Sequence, residues 1–256
     1  MKKVGLIFLM FLLVSSVFAQ NINKKDAQGR KQGPWQKKYP NSSLLEYKGQ
    51  FKDDKPVGTF TYYYKNNKVK MIIVHDAKTG RSHCQMFHEE NGKLMANGVY
   101  QNELKDSIWD FYGPSGRKST QESYKNGKLH GPYTIYYVPE NINDKSLKPS
   151  YVANYVDGLK EGLVIEYFDT GVIKSKTPYI KGKRHGVVNI YHPNGKLMIQ
   201  ERWKNGEQHG WQTAHDQNGK ETGRQLYRLG ERLEGKRKED YLNNCKKAGV
   251  DPNKLN

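Results

Sequence analysis

The chain has 256 residues, of which 35% are hydrophobic and 12% aromatic, and its formal net charge is +17 at pH 7. Only Cys84 and Cys245 are present, which excludes a disulfide framework as the main source of stability. A basic surface favours anionic partners such as phosphates, acidic glycans and membrane head groups, although scattered charges like these are also typical of a solvated, lysine-rich surface.

The N-terminus reads MKKVGLIFLMFLLVSSVFAQ, with two lysines before an apolar run and then the small residues Val17 and Ala19. This pattern is typical of a secretory signal peptide, and we predict that residues 1–19 are removed. A membrane anchor is the alternative, but the run is shorter than the roughly 20 residues that a spanning helix needs. We therefore expect an exported protein, periplasmic, at the cell surface or secreted, with no transmembrane anchor after cleavage. Export also argues against a nucleic-acid partner.

Residues 20–32 carry no periodic pattern, and we predict a linker there. From Gly33 onward an anchor residue, usually glycine, recurs every 24 or 25 residues, with one interval of 31. Such a period indicates a repeat architecture, here eight repeats over residues 33–235. We predict that the anchors end the turns of the repeats. They are Gly33, Gly58, Ser82, Ser107, Gly131, Gly162, Gly186, Gly210 and Gly235.

After each anchor, apolar and polar residues alternate with period two, which predicts a strand with one buried face. Turn segments such as HPNG at 192–195 supply the positive φ angles of tight hairpins. Each repeat is then strand, turn, strand, turn, with connections too short for a helix crossover. The predicted core residues are Trp35, Phe60, Trp109, Tyr133, Val164, Val188 and Trp211, with Cys84 as a small apolar filler.

The long interval contains an insertion, VPENINDKSLKPS, at 138–150. Insertions in repeat arrays map to loops on one face, which is often the binding face. Tolerated drift without a function is the alternative. The candidate binding loop consists of Asn141, Asp144, Lys145 and Lys148.

Residues 236–256 form a C-terminal tail with a short predicted helix around 239–247. Gly249 and Pro252 mark its end. We expect this helix to cap the last repeat, and a free tail or a docking peptide is the alternative.

The pattern aromatic-x-Asn-Gly-Lys-x-x-Gly-x-aromatic, as in YKNGKLHGPY at 124–133, resembles the bacterial variant of the MORN repeat. The array is similar to YwqK-like antitoxins over about four fifths of the chain. The expected fold is all-β: an elongated antiparallel β-meander of about eight MORN-like hairpin repeats and about 16 strands, twisted or rolled as a single sheet. The resemblance also implies an antitoxin role.

The histidines that precede anchors, His130, His185 and His209, could suggest a row of metal ligands. Equivalent positions lie two strands apart, roughly 9.6 Å, whereas two nitrogens on one zinc must lie within about 4 Å. We therefore favour polar turn residues that face water. Cys84 and Cys245 are six repeats apart, too distant for a disulfide. No Gly-x-Ser-x-Gly elbow, Walker loop or His-Glu-x-x-His motif occurs, so we expect no catalytic, cofactor or metal site.

The function expected from the sequence is that of an exported, non-enzymatic binding or scaffold module for an envelope protein, a glycan or an anionic surface such as lipid head groups. The alternative is an antitoxin or immunity-type protein that binds and neutralises a toxin. We expect a monomer that needs no cofactor.

Overall fold

The computed structural model describes residues 21–139, 144 and 146–254. The predicted signal peptide at 1–19 lies outside these residues. The described part of the chain contains one 21-stranded sheet and one helix. The strands are β1 (Lys24–Lys25), β2 (Lys31–Lys38), β3 (Leu45–Lys52), β4 (Lys55–Tyr63), β5 (Val69–His75), β6 (Arg81–Phe87), β7 (Leu94–Gln101), β8 (Leu104–Tyr112), β9 (Lys118–Lys125), β10 (Lys128–Tyr136), β11 (Pro149–Val156), β12 (Leu159–Lys160), β13 (Gly162–Tyr167), β14 (Ile173–Ile180), β15 (Lys183–Arg184), β16 (Gly186–Tyr191), β17 (Leu197–Lys204), β18 (Glu207–Gln208), β19 (Gly210–His215), β20 (Glu221–Arg228) and β21 (Glu231–Leu233). The helix is α1 (Gly235–Lys247).

The sheet is an open antiparallel meander in which each hairpin leads directly into the next. The long strands from β2 to β20 pair in chain order, and no pairing among the described residues joins β1 to β21. This confirms the predicted all-β meander. The predicted count of about 16 strands corresponds to the long strands alone. Bulges split off the short strands β12, β15 and β18, while β1 and β21 extend the two ends. Because β1 and the start of β2 fall within 20–32, the sheet begins inside the segment predicted as a linker.

The tight turns have positive φ at both central residues, as in type I′ hairpins. Asn126 and Gly127 have φ angles of 50° and 78°, and Asn205 and Gly206 have 52° and 95°. Asparagine and glycine reach this left-handed region at low cost, so the Asn-Gly pairs set the register of their hairpins.

The anchor glycines do not lie in these turns, which corrects the prediction. Gly186 follows the turn glycine Gly182 by four residues and begins β16, beside a β-bulge, with a φ of 116°. It lies directly opposite Trp203 in the strand pairing, and a Cβ atom at 186 would lie 3.0 Å from Pro178 Cγ. The same pairing recurs along the array: Gly33 with Phe51, Gly58 with His75, Gly131 with Tyr155, Gly162 with Tyr179, and Gly210 with Tyr227.

One face of the sheet, here called the packed face, holds the core by placing large side chains over small ones. Trp109 is 0% exposed and lies over Gly98, and Phe60 lies over Gly49. A Cβ atom at Gly98 would lie 2.2 Å from Trp109 Cδ2, so only glycine leaves room for this ring. The residues of this face include Trp35, Phe60, Cys84, Trp109, Tyr133, Val164 and Val188.

Trp211 does not belong to the packed face, and its assignment to that core is wrong by one position. It directly follows Gly210, whereas the other core residues lie two positions after their anchors. Strand alternation therefore turns its side chain to the opposite face. Gln212 takes the packed-face position and donates a hydrogen bond of 3.4 Å to Glu201.

Helix α1 begins at Gly235, earlier than the predicted start near 239. Gly235, predicted as the last turn glycine, is thus the first helical residue. The helix ends in a Schellman arrangement: Gly249 has a φ of 62°, and the N–H of Val250 donates to the carbonyl of Cys245 at 2.9 Å. The helix therefore ends before Gly249 as predicted, because this glycine adopts the left-handed backbone conformation of the Schellman motif.

Candidate binding surface

The residues that precede the anchors contact the tight turn of the next repeat. The pairs are His130 with Asp157 (3.4 Å), Glu161 with Lys181 (2.7 Å) and His185 with Asn205 (3.1 Å). We call these contacts the turn clasp. Two of the three histidines considered as ligands therefore have structural partners. Among the described residues, no group of three or more His, Cys, Asp or Glu side chains is placed to hold a metal ion.

His209 departs from this pattern and from the prediction that these histidines face water. Its Nδ1 atom is buried and has no hydrogen-bond partner. Burial lowers the pKa of His209, and the positive charges of Lys204 and Arg228 lower it further. At neutral pH this side chain is therefore a neutral, partly buried ring beside Gly210.

At the opposite end of the hairpins, a tyrosine or histidine six residues after the anchor donates to a backbone carbonyl of the next repeat. The pairs are Tyr39 with Tyr63 (2.6 Å), Tyr64 with Phe87 (2.8 Å), His88 with Tyr112 (2.9 Å), Tyr137 with Tyr167 (2.7 Å) and His192 with His215 (3.0 Å). We call these contacts the carbonyl clasp. The sequence analysis did not predict these contacts, although Tyr or His recurs six residues after five of the anchors.

Lysine side chains lie over the rings of the packed face. Lys105 Nζ is 4.7 Å from the ring centre of Trp109 and 4.8 Å from that of Tyr124, and Lys160 Nζ is 5.1 Å from that of Tyr179. Their aliphatic stems cover apolar surface while the ammonium groups meet the aromatic faces. The packed face and both clasps therefore hold neighbouring repeats together.

One family model, described as a MORN repeat variant, matches residues 56–76, 160–181 and 184–205. Each match begins two residues before an anchor glycine and covers one glycine bulge and its hairpin. The chain contains MORN-type repeats. No curated protein matches it. The MORN array is a repeat-based binding module, and its recognition surface has to be sought among side chains that do not hold the repeats together.

The opposite side of the MORN array, here called the open face, leaves apolar side chains exposed. Ile108 and Leu163 directly follow their anchors and are 55% and 47% exposed. Their neighbours along the strands are mostly polar, as in the hydrogen bond of 2.8 Å that Gln121 donates to Asp110. Lys118 pairs with the same carboxylate at 2.9 Å. The open face is thus amphipathic, with isolated apolar rows between polar ones.

The C-terminal end of the open face is covered by α1. Trp211 lies opposite Leu226, which is 0% exposed. Lys238 of the helix lies 5.0 Å from the ring centre of Trp211, and Arg228 of β20 lies 5.3 Å from that of Tyr241. The predicted cap of the last repeat therefore forms, and it covers the open face there.

The N-terminal end of the open face is partly covered by the segment before β1. The N–H of Asn23 donates to the carbonyl of Pro34 at 2.9 Å. A shallow cavity of about 300 Å³ remains between Ile22 and the sheet, lined by polar side chains that include Gln50 and Thr59. The middle repeats carry neither kind of cover among the described residues.

The candidate binding loop is described only in part, because Asn141 and Lys145 lie outside the described residues. Asp144 accepts the N–H of Ser146 at 2.8 Å, and hydrogen bonds from Ser146 lower its pKa. The N–H of Tyr137 donates to the carbonyl of Lys148 at 2.9 Å, which closes the base of the loop. A binding role for this loop stays a prediction.

The two cysteines are free and buried in different elements, Cys84 on the packed face and Cys245 in α1. Burial raises the pKa of the Cys84 thiol to about 11, so this group is an inert core side chain at neutral pH. No helix in the described part of the chain is long and apolar enough to cross a membrane.

Proposed function

We propose that this MORN-repeat protein is an exported, non-enzymatic binding module that presents its open face to an anionic partner in the cell envelope. The observation that supports this proposal most directly is that the two faces of the sheet have different roles. Packed-face side chains and the two clasps hold the repeats together, whereas the open face leaves apolar side chains such as Ile108 and Leu163 exposed in its middle repeats.

Charge supports an anionic partner. The mature chain would carry a formal charge of +15, since cleavage removes Lys2 and Lys3 from a total of +17. Such a charge raises the local concentration of anions and accelerates encounter with acidic surfaces. An envelope protein, an acidic glycan and lipid head groups share this chemistry. A toxin neutralised by an antitoxin would be one acidic protein among these partners.

The engagement of the polar side chains supports a non-enzymatic role. His130 and His185 contact neighbouring turns, and His88 and His192 donate to backbone carbonyls. General acid–base catalysis needs such groups positioned in a cleft and free to exchange a proton with a substrate. These rings are instead used to connect repeats.

The test is binding of the mature chain, residues 20–256, to alginate, to phosphatidylglycerol vesicles and to a glutamate-rich peptide at low and high salt. We expect at least one of the three to bind at low salt and to be released at high salt. Binding to none, or binding that salt does not weaken, would refute the anionic partner. Mass spectrometry of protein from the periplasm and medium tests export, with a chain beginning at Gln20 as the expected product.

A further inference from the structure

An uncovered apolar area of the open face lies in the second half of the array. It consists of Val156, Leu163, Pro178, Ile180 and Val187, which we call the apolar patch. The four aliphatic side chains are 38–48% exposed. Leu163 lies directly opposite Pro178, and Pro178 in turn lies against Gly186, the residue before Val187. The patch is therefore continuous over four strands, from β11 to β16.

The patch continues a surface that already holds a helix. Val187 and Trp211 each directly follow an anchor glycine, so they are equivalent positions in successive repeats. Trp211 is covered by α1 and its C-terminal extension, which accepts the N–H of Trp211 at Asn253 Oδ1 at 3.1 Å. Val187 has no such cover among the described residues and is 38% exposed. The same sheet face thus accepts a helix in one repeat and leaves the preceding repeats open.

The width of the patch suits one helix. Its four strands are separated by three spacings of about 4.8 Å, so it is roughly 14 Å wide. An α-helix with its side chains is about 10–12 Å in diameter. A helix of 13 residues, the length of α1, spans about 20 Å, close to the length of these strands, so it would extend from the patch along the open face.

The charges around the patch select an acidic occupant. Lys176 precedes Pro178 by two residues on the same face of β14, and Arg202 lies on the adjoining β17 beside Val187. Neither cation is within salt-bridge distance of a carboxylate among the described residues; Arg202 bonds the Trp211 carbonyl and Gln200. The open-face strand positions of β11, β13, β14, β16 and β17 include no Asp or Glu. A second copy would bring like charges together, which disfavours self-association through this patch.

We propose that the apolar patch is the docking site for one amphipathic helix of an acidic partner protein, which lies on the open face in the repeats that precede the seat of α1. This inference rests on the proposed binding function and assigns its location and the class of partner. The partner helix places its apolar side on Leu163, Pro178 and Val187 and its acidic edge near Lys176 and Arg202.

The test uses the mature chain and an 18-residue synthetic helix with leucine on one side and glutamate on the other. A peptide of the same composition in scrambled order is the control probe. Fluorescence anisotropy measures the dissociation constants. We expect the double substitution Leu163→Asp and Ile180→Asp to weaken binding of the amphipathic peptide at least tenfold. The milder pair Leu163→Thr and Ile180→Thr, which suits a strand, should weaken it about threefold.

Ile108→Asp is the matched control, because Ile108 is 55% exposed on the same face but lies outside the patch. It should change the dissociation constant less than twofold. An equal loss with Ile108→Asp, equal binding of the scrambled peptide, or no loss with the patch variants would overturn the docking site. If the patch variants weakened binding to phosphatidylglycerol vesicles but not to the peptide, the patch would be a lipid site instead. Salt-sensitive binding of the anionic probes that survives the patch variants would overturn this inference while leaving the proposed function standing.

Discussion

Replacing Gly98 with alanine tests whether the placement of large side chains over small ones holds the MORN array together. The added Cβ atom would lie 2.2, 2.4 and 2.5 Å from three atoms of the Trp109 ring, where ordinary contacts begin at 3.4 Å. The ring is 0% exposed, with Tyr100 at 4.9 Å and Phe111 at 6.2 Å between ring centres. Trp109 therefore has to displace its neighbours to accommodate one methyl group.

The expected cost follows from two opposing effects. Over-packing a well-packed core typically costs about 1–3 kcal/mol. Alanine also restricts the unfolded chain more than glycine does, which stabilises by about 0.4–1 kcal/mol. Because the overlap exceeds 1 Å and the ring is confined, we expect the clash to dominate, with a net loss of about 2 kcal/mol in the free energy of unfolding. For a chain of this size that corresponds to a melting temperature lower by roughly 4–8 °C.

Urea unfolding followed by far-UV circular dichroism and tryptophan fluorescence measures this loss. Gly223→Ala is the matched control: Gly223 lies in β20, and a Cβ there would meet nothing within 4 Å. Its free energy of unfolding should stay within about 0.5 kcal/mol of the parent value. In a Trp109→Leu background the Gly98→Ala substitution should cost much less, since the ring is gone. A stable Gly98→Ala variant, or an equal cost in both backgrounds, would refute the packing argument.

Two further outcomes test the clasps and the titration of the core. Tyr64→Phe removes the hydrogen bond to the Phe87 carbonyl and should lower the free energy of unfolding by about 1 kcal/mol in urea titrations. The control Tyr227→Phe removes only an exposed hydrogen bond to Gln225 and should change the free energy of unfolding by less than about 0.5 kcal/mol. Equal losses in the two variants would contradict a special role for the carbonyl clasp. Burial raises the pKa of the Cys84 thiol from 9.0 to about 11, so its contribution to stability is fully present below pH 9 and is lost as the pH rises to about 11. The urea midpoint should fall across that interval less steeply in Cys84→Ala than in the parent, and parallel curves would contradict the shift.

The fold was predictable because every repeat carries the same signals. Period-two alternation, Asn-Gly turns and a spacing of 24 or 25 residues all point to one hairpin meander, and the strand pairing confirms it. The sequence did not show whether the anchor glycines lie in tight turns or at β-bulges. Positive φ is needed in a tight turn and also at a bulge, so glycine alone does not distinguish them. The distinction depends on the strand pairing, which places Gly186 opposite Trp203 and outside the tight turn.

The error at Trp211 has a similar origin. A shift of one residue moves a side chain to the other face of a sheet, and both Trp211 and Gln212 are compatible with the local pattern. Counting two positions from Gly210 gives Gln212, so the spacing in the other repeats already assigns Trp211 to the opposite face. The position of α1 over Trp211 and Leu226 explains why that face holds a large ring there. The apolar patch was not predictable, since the exposure of Leu163 and Val187 depends on which repeats α1 covers.

Substitutions on the two faces of the array affect different properties, stability on the packed face and binding on the open face. On the packed face and in the clasps, a side chain contributes to the contact between repeats, so its replacement alters stability and every property that depends on an intact array. On the open face, Leu163 and Ile180 are 47% and 48% exposed, and their replacement removes little native packing. A substitution there that abolishes binding while leaving the urea midpoint unchanged therefore assigns recognition to the open face. Loss of binding only in step with loss of stability would assign it instead to the packed face.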